Sequence, residues 1–223
     1  MNNAFEQAVS RSSQQTFATN KVIKNTYMLL SATLIFSGVM AMLSLYLAVP
    51  VWTYTVSVII AMLLGMFVLP RTQDSGAGIG VIFAITGLMG FGLGAVLSIY
   101  LQLPNGPQTV ALALGGTGVI FLGLSGYALS SRRDFSFMGG FIFAGMMVLL
   151  VAMLANIFLH IPALQLAIAA GFILLMSGFI LFQTSQMVHG GETNYINATY
   201  GLYLSIFNIF ISLLQILGIF GDE

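Results

Sequence analysis

The sequence predicts an all-α integral membrane protein, a bundle of seven transmembrane helices, and three observations lead there: its composition, the spacing of its long apolar runs, and the placement of its cations. Of 223 residues, 58% are hydrophobic and 5% are charged, with six Lys or Arg and six Asp or Glu. A soluble domain carries roughly 25% charged residues, and mean hydropathy here is +1.00. So few charges cannot coat two water-soluble domains, so residues 21–223 read as one membrane domain behind a polar segment, residues 1–20.

That first segment carries Asn2, Asn3, Gln7, Arg11, Gln14 and Gln15. It lacks the apolar core and small-residue cleavage site of a signal peptide and reads as a disordered polar tail.

A hydrocarbon core about 30 Å thick takes roughly 20 apolar helical residues. Seven runs of that kind lie near 25–48, 51–69, 78–103, 109–130, 136–160, 164–186 and 198–220. The first ends before Pro50, and the second before Pro70–Gly76, which holds Arg71 and Asp74. Pro104–Pro107 follows the third, Ser131–Asp134 the fourth, Pro162 the fifth and His189–Asn197 the sixth. Proline cannot continue a helix without losing a backbone hydrogen bond, and polar or glycine-rich stretches cannot stay in hydrocarbon. With every connection short, helices adjacent in sequence are expected to pack as antiparallel neighbours.

The cations orient the bundle. Arg11, Lys21 and Lys24 precede the first span, Arg71 follows the second, and Arg132 and Arg133 follow the fourth, so all six fall on one side. The positive-inside rule then places the N-terminus in the cytoplasm, and an odd number of spans places the acidic end Asp222–Glu223 outside. Adding or dropping a span would scatter the cations over both faces. Glycines concentrate in the third to fifth spans, where Gly87, Gly90, Gly94 and Ser98, and Gly140 and Ala144, have the small-residue spacing that lets helix backbones approach closely in lipid.

Composition also limits function. A net charge of zero offers no basic surface for nucleic acid. The absence of cysteine removes disulfides, thiolate nucleophiles and thiolate metal sites. No Lys, Arg, Asp or Glu lies at mid-span, which excludes a retinal lysine, an arginine voltage sensor and a carboxylate proton relay.

Amides, hydroxyls and two histidines remain. On the seventh span Ser205, Asn208, Ser212 and Gln215 recur along one stripe, and Gln183 and Gln186 are their counterparts on the sixth. At about 1.5 Å per residue, Gln183 and Ser205 both sit roughly 5–10 Å deep, where they can form a polar clasp between the two helices or line a hydrated cavity. Asn156 and His160 lie one turn apart at the end of the fifth span opposite His189, so no metal cluster or metal cofactor is expected. Gly123-Leu124-Ser125-Gly126 resembles the Gly-x-Ser-Gly of rhomboid intramembrane proteases, but both histidines are remote from Ser125, and no catalytic residue is assigned. The sequon Asn197-Ala198-Thr199 falls on the expected cytoplasmic side, where it is not glycosylated.

The run Phe182-Gln183-Thr184-Ser185-Gln186-Met187-Val188-His189-Gly190-Gly191-Glu192-Thr193-Asn194-Tyr195, followed by Leu202-Tyr203-Leu204-Ser205-Ile206-Phe207-Asn208, resembles the Bax inhibitor-1 family. The likeness runs from Lys21-Val22-Ile23-Lys24-Asn25-Thr26-Tyr27 to the end, and is nearest to the bacterial YccA-like branch. The resemblance implies a seven-helix bundle in the bacterial inner membrane that modulates the membrane-bound ATP-dependent protease FtsH, with no cofactor and no enzymatic activity. His189, Gly190, Gly191, Glu192, Asn194 and Tyr195 form the family's loop motif. The alternative that the family offers is a pH-sensitive calcium leak gated by an aspartate pair. At those positions this chain carries Gln183 and Ser205, neither of which titrates.

Overall fold

The computed structural model describes the backbone of residues 2–220 and the side chains of residues 17–219, so the side chain of Arg11 and the end Asp222–Glu223 lie outside the described residues. Among them, seven helices are long and apolar enough to cross a membrane, and no strand is formed. They are α1 (Asn2–Tyr46), α2 (Trp52–Thr72), α3 (Ala77–Tyr100), α4 (Gly106–Ser131), α5 (Met138–Leu159), α6 (Pro162–His189) and α7 (Tyr195–Phe220).

Two helices depart from the expected bounds. Helix α1 is continuous from Asn2, where a disordered tail is expected. No glycine or proline precedes Gly38, so nothing in the sequence breaks the helix upstream of the membrane. Its 45 residues span about 67 Å at about 1.5 Å each, well over the hydrocarbon thickness, and its apolar stretch begins at Phe17. Helix α2 carries Pro70 inside its last turns instead of ending before it: the proline follows a π-helical turn, Leu64–Val68. The proline ring would otherwise clash with the carbonyl of Met66, and a widened turn relieves that clash.

Helix α7 is the centre of the bundle and packs on α1, α3, α4 and α6. Chain neighbours do not all pack together, contrary to the expectation from short connections: α1 makes its main contact with α3 instead of α2, and α4 and α5 make no extended contact. The glycines decide this. A Cβ on Gly90 would collide with the Ser37 carbonyl, one on Gly94 with the Ala41 carbonyl, and one on Gly87 with the ring of Phe36, so α1 and α3 meet backbone to backbone. Gly140 and Ala144 behave differently, being exposed on α5, the least buried span, with open space where a Gly140 side chain would stand. That small pair forms no helix contact.

Hence Gly90→Val is expected to destabilise the bundle by about 1–3 kcal/mol, because the α1 backbone has to move away. Gly140→Ala should stay within about 0.5 kcal/mol of wild type. Thermal unfolding of the two variants in detergent checks the contrast.

Candidate functional site at the α6–α7 pair

Gln183 and Ser205 both reach the α6–α7 interface, at 7% and 0% exposure. They meet around Gly201 without bonding to each other. The Gln183 amide carbon is 3.5 Å from where a Gly201 Cβ would stand, and the Ser205 hydroxyl donates to the Gly201 carbonyl at 3.0 Å. A helical serine can donate to the carbonyl four residues back, and here that local bond wins over the cross-helix clasp. Asn208 does likewise, donating to the Leu204 carbonyl at 2.8 Å. Ser212 is buried, and Gln215 borders a small cavity of about 130 Å³ beside Tyr54 and Tyr100. The stripe therefore faces into the bundle, but its bonds run along α7.

Tyr203 carries a hydroxyl that joins three helices. It is 1% exposed, lies 2.7 Å from the Ser37 hydroxyl on α1, and donates to the Thr86 carbonyl on α3 at 3.2 Å. Sequence reasoning assigned it no role because a tyrosine in an apolar run reads as core. The available signal was that a buried phenol needs a partner, and Ser37 is the polar interruption in α1 that supplies one.

The loop motif proves to be a fastening for the connections at one end of the bundle. Gly190 has φ +77°, the left-handed conformation that stops α6. A side chain at Gly191 would strike the Gln186 amide, whose helix carbonyl accepts from the Gly191 and Glu192 amides at 2.8 and 3.1 Å. Asn194 caps α7, its side-chain oxygen accepting from the backbone of Ile196 at 2.9 Å and Asn197 at 3.1 Å. Its amide nitrogen donates to the Gln73 carbonyl at 3.0 Å and to Asp74 at 2.8 Å, tying this connection to the one between α2 and α3. Glu192 accepts from the Asn194 backbone at 2.8 Å and the Asn197 side chain at 2.6 Å. Tyr195 opens α7, and its carbonyl accepts from Thr199 at 2.6 Å.

The connection between α4 and α5 joins the same cluster. Ser185, fully buried, accepts from the Phe135 backbone at 2.9 Å and donates to the Arg133 carbonyl at 3.2 Å, and Gln186 donates to Ser136 at 2.8 Å. His189 Nδ1 sits 2.9 Å from the Ser185 carbonyl. Hydrogen bonds from Ser136, with the nearby His189 charge, hold the exposed Asp134 carboxyl below its ordinary pKa. Arg71, in the last turn of α2, and Arg132 and Arg133, in the α4–α5 connection, thus gather at one end. At the opposite end Asn156 accepts from the Ile161 backbone at 3.0 Å, and His160 ends α5 with φ +52°.

Two other candidates are placed as follows. Ser125 is buried and hydrogen-bonded to the hydroxyl of Tyr27 on α1, not to a histidine. Among the described residues no group of three His, Asp or Glu comes close enough to hold a metal.

This is a helical membrane bundle whose polar residues join helices and connections. It belongs to the Bax inhibitor-1 family: residues 19–222 match the family described as inhibitor of apoptosis-promoting Bax1. The chain is 48% identical to the modulator of FtsH protease YccA of Escherichia coli K12, over 96% of this chain and 97% of that one. An uncharacterized membrane protein of Vibrio cholerae is 47% identical over 94% of each chain. An uncharacterized protein of Pseudomonas aeruginosa is 49% identical over 91% of this chain and 90% of its own. None of the three is named as an enzyme. The chain is a multi-pass protein of the bacterial inner membrane.

Asn194→Ala should cost about 0.5–2 kcal/mol through the lost cap alone, read as a lower midpoint of unfolding. Tyr203→Phe should cost about 1–3 kcal/mol by removing two buried hydrogen bonds, to the Ser37 hydroxyl and the Thr86 carbonyl. Combining it with Ser37→Ala should cost less than the sum of the two single changes, the coupling that a double-mutant cycle measures.

Proposed function

We propose that this protein binds the membrane-bound ATP-dependent protease FtsH and inhibits it, with its N-terminus in the cytoplasm. The observation that carries the reading is the 48% identity, over 96% of the chain, to a protein named as a modulator of that protease. The fold supports it in two ways. Helix α1 continues beyond the apolar stretch that starts at Phe17, so its polar first turns, from Asn2 onward, extend past the membrane-spanning part of the helix. Behind that end the bundle is hard to dismantle from its first helix: α1 lies against the glycines of α3, and Ser37 is bonded to Tyr203 of α7. An ATP-driven protease that grips the end of α1 has to break the α1–α3 and α1–α7 contacts together. A substrate that resists extraction occupies the machine and slows the turnover of others.

The calcium-leak alternative has less support, because Gln183 and Ser205 offer an amide and a back-bonded hydroxyl where calcium takes carboxylate oxygens.

Purified FtsH and the full chain, reconstituted together in vesicles, test the proposal. The chain is expected to co-purify with the protease and to slow degradation of a membrane substrate several-fold. Deleting residues 2–20 is expected to abolish the effect while the bundle still inserts. Unchanged inhibition by the truncated chain would remove α1 as the handle, and no binding by the full chain would remove the proposal.

A further inference from the structure

Helices α1 and α4 both pack on α7 yet make no extended contact with each other. Between them, floored by α3 and α7, lies a cavity of about 510 Å³, bordered by Gly38 and Met42 of α1, Leu97 of α3, Leu114 and Gly118 of α4, and Phe210 of α7. Met42 and Leu114 are exposed at its rim, so the cavity opens sideways, toward the hydrocarbon that surrounds these spans. At one end it reaches Leu101 and Val110, beside the α3–α4 connection; at the other it reaches Phe121 and Tyr203, well inside their helices.

Three polar side chains touch it, and each is already satisfied. Ser37 is bonded to Tyr203, Tyr203 donates to the Thr86 carbonyl, and Thr117 donates to the Ala113 carbonyl at 2.7 Å. A buried water needs two to four polar partners and finds none unpaired here, whereas apolar cavities take apolar guests. Size narrows the guest. A dry cavity of about 150 Å³ holds the six carbons of benzene, so about 510 Å³ admits a chain of roughly 15–20 carbons. A transmembrane helix about 10 Å across and 30 Å long displaces roughly 2,400 Å³ and does not fit.

We propose that this crevice is a binding site for one acyl chain of a bilayer phospholipid, which enters between α1 and α4 from the leaflet on the side of the α3–α4 connection, its methyl end directed toward the Ser37–Tyr203 pair. No charged residue lies in 101–108, next to the mouth, so the site selects for the chain and not for the charge of the headgroup. The bound chain completes the bundle where α1 and α4 stand apart. The proposal rests on the position of the cavity within the spans and does not depend on a protease partner.

The experiment uses the full chain in vesicles of phosphatidylethanolamine and phosphatidylglycerol that contain a small fraction of phosphatidylcholine with a diazirine midway along one acyl chain. After irradiation, mass spectrometry locates the adducts. They are expected on deep residues midway along the wall such as Ala41 and Phe207, which are 5% and 7% exposed, as well as on the outward face of α5 at Phe143. Gly38 and Gly118 border the cavity with open space where a side chain would stand. Gly38→Leu combined with Gly118→Leu should therefore lower the deep adducts at least fivefold and leave Phe143 unchanged. Gly115→Leu, also in open space but away from the cavity, should leave both unchanged. The wild-type chain supplies a second measurement that needs no variant: deep adducts should saturate as the photolipid fraction rises, while those at Phe143 rise in proportion. Adducts on outward residues alone, or deep adducts that are proportional to photolipid and indifferent to the filling variants, would overturn the proposal.

Discussion

The contact between the glycines of α3 and the backbone of α1 is the constraint from which the rest of the arrangement follows. In hydrocarbon there is no hydrophobic force to press helices together, so they pack where backbones come near enough for dispersion to accumulate. Gly90 and Gly94 make that possible against Ser37 and Ala41. Once α1 is drawn onto α3 it can no longer lie along its chain neighbour α2, and it meets α4 without extended contact, through Tyr27 against Ser125 and Phe121. The central position falls to α7, and the space between α1 and α4 stays open to lipid.

Although the hydroxyls of Thr26, Ser44 and Thr184 take no partner, most buried polar residues follow a second rule, taking the nearest partner available. For Ser205, Asn208 and Thr117 this is a carbonyl of their own helix, so these residues join nothing. Tyr203 is too long to reach its own backbone, so its hydroxyl crosses to α1 and α3. At the ends of the helices, where backbone groups lack intrahelical partners, Ser185 and Asn194 bind the backbone of other connections. The result is a bundle joined within its spans by hydroxyls such as those of Tyr203 and Tyr27, and at one end by a network of amides and hydroxyls. That is the construction of a rigid body that a partner meets from outside, in agreement with the proposed modulator role.

Much of the fold was legible in the sequence because it rests on local quantities. A span must be long and apolar to cross hydrocarbon, and all seven expected runs lie within the seven helices to within a few residues at their ends. The glycine spacing on α3 likewise marked a true interface. The same spacing at Gly140 and Ala144 did not, because a small residue permits a close approach without supplying the helix that approaches. The family was legible too, in the run from Phe182 to Tyr195. The work of its residues was not, since the ties that Asn194 makes to Gln73 and Asp74, and Ser185 to Arg133, reach connections that are more than fifty residues distant in the chain.

The sequence alone thus determined the membrane class, the number of spans, the grouping of cations on one side and the kinship, all of which follow from composition and from order along the chain. Tertiary structure alone decided which helices touch, where Gln183 and Ser205 meet, that Tyr203 joins three helices, and that a crevice remains between α1 and α4. Each of these depends on distances between residues remote in sequence, set by how closely two backbones can approach. In lipid, where most of every helix surface is apolar, hydrophobic pattern carries little record of which helices meet.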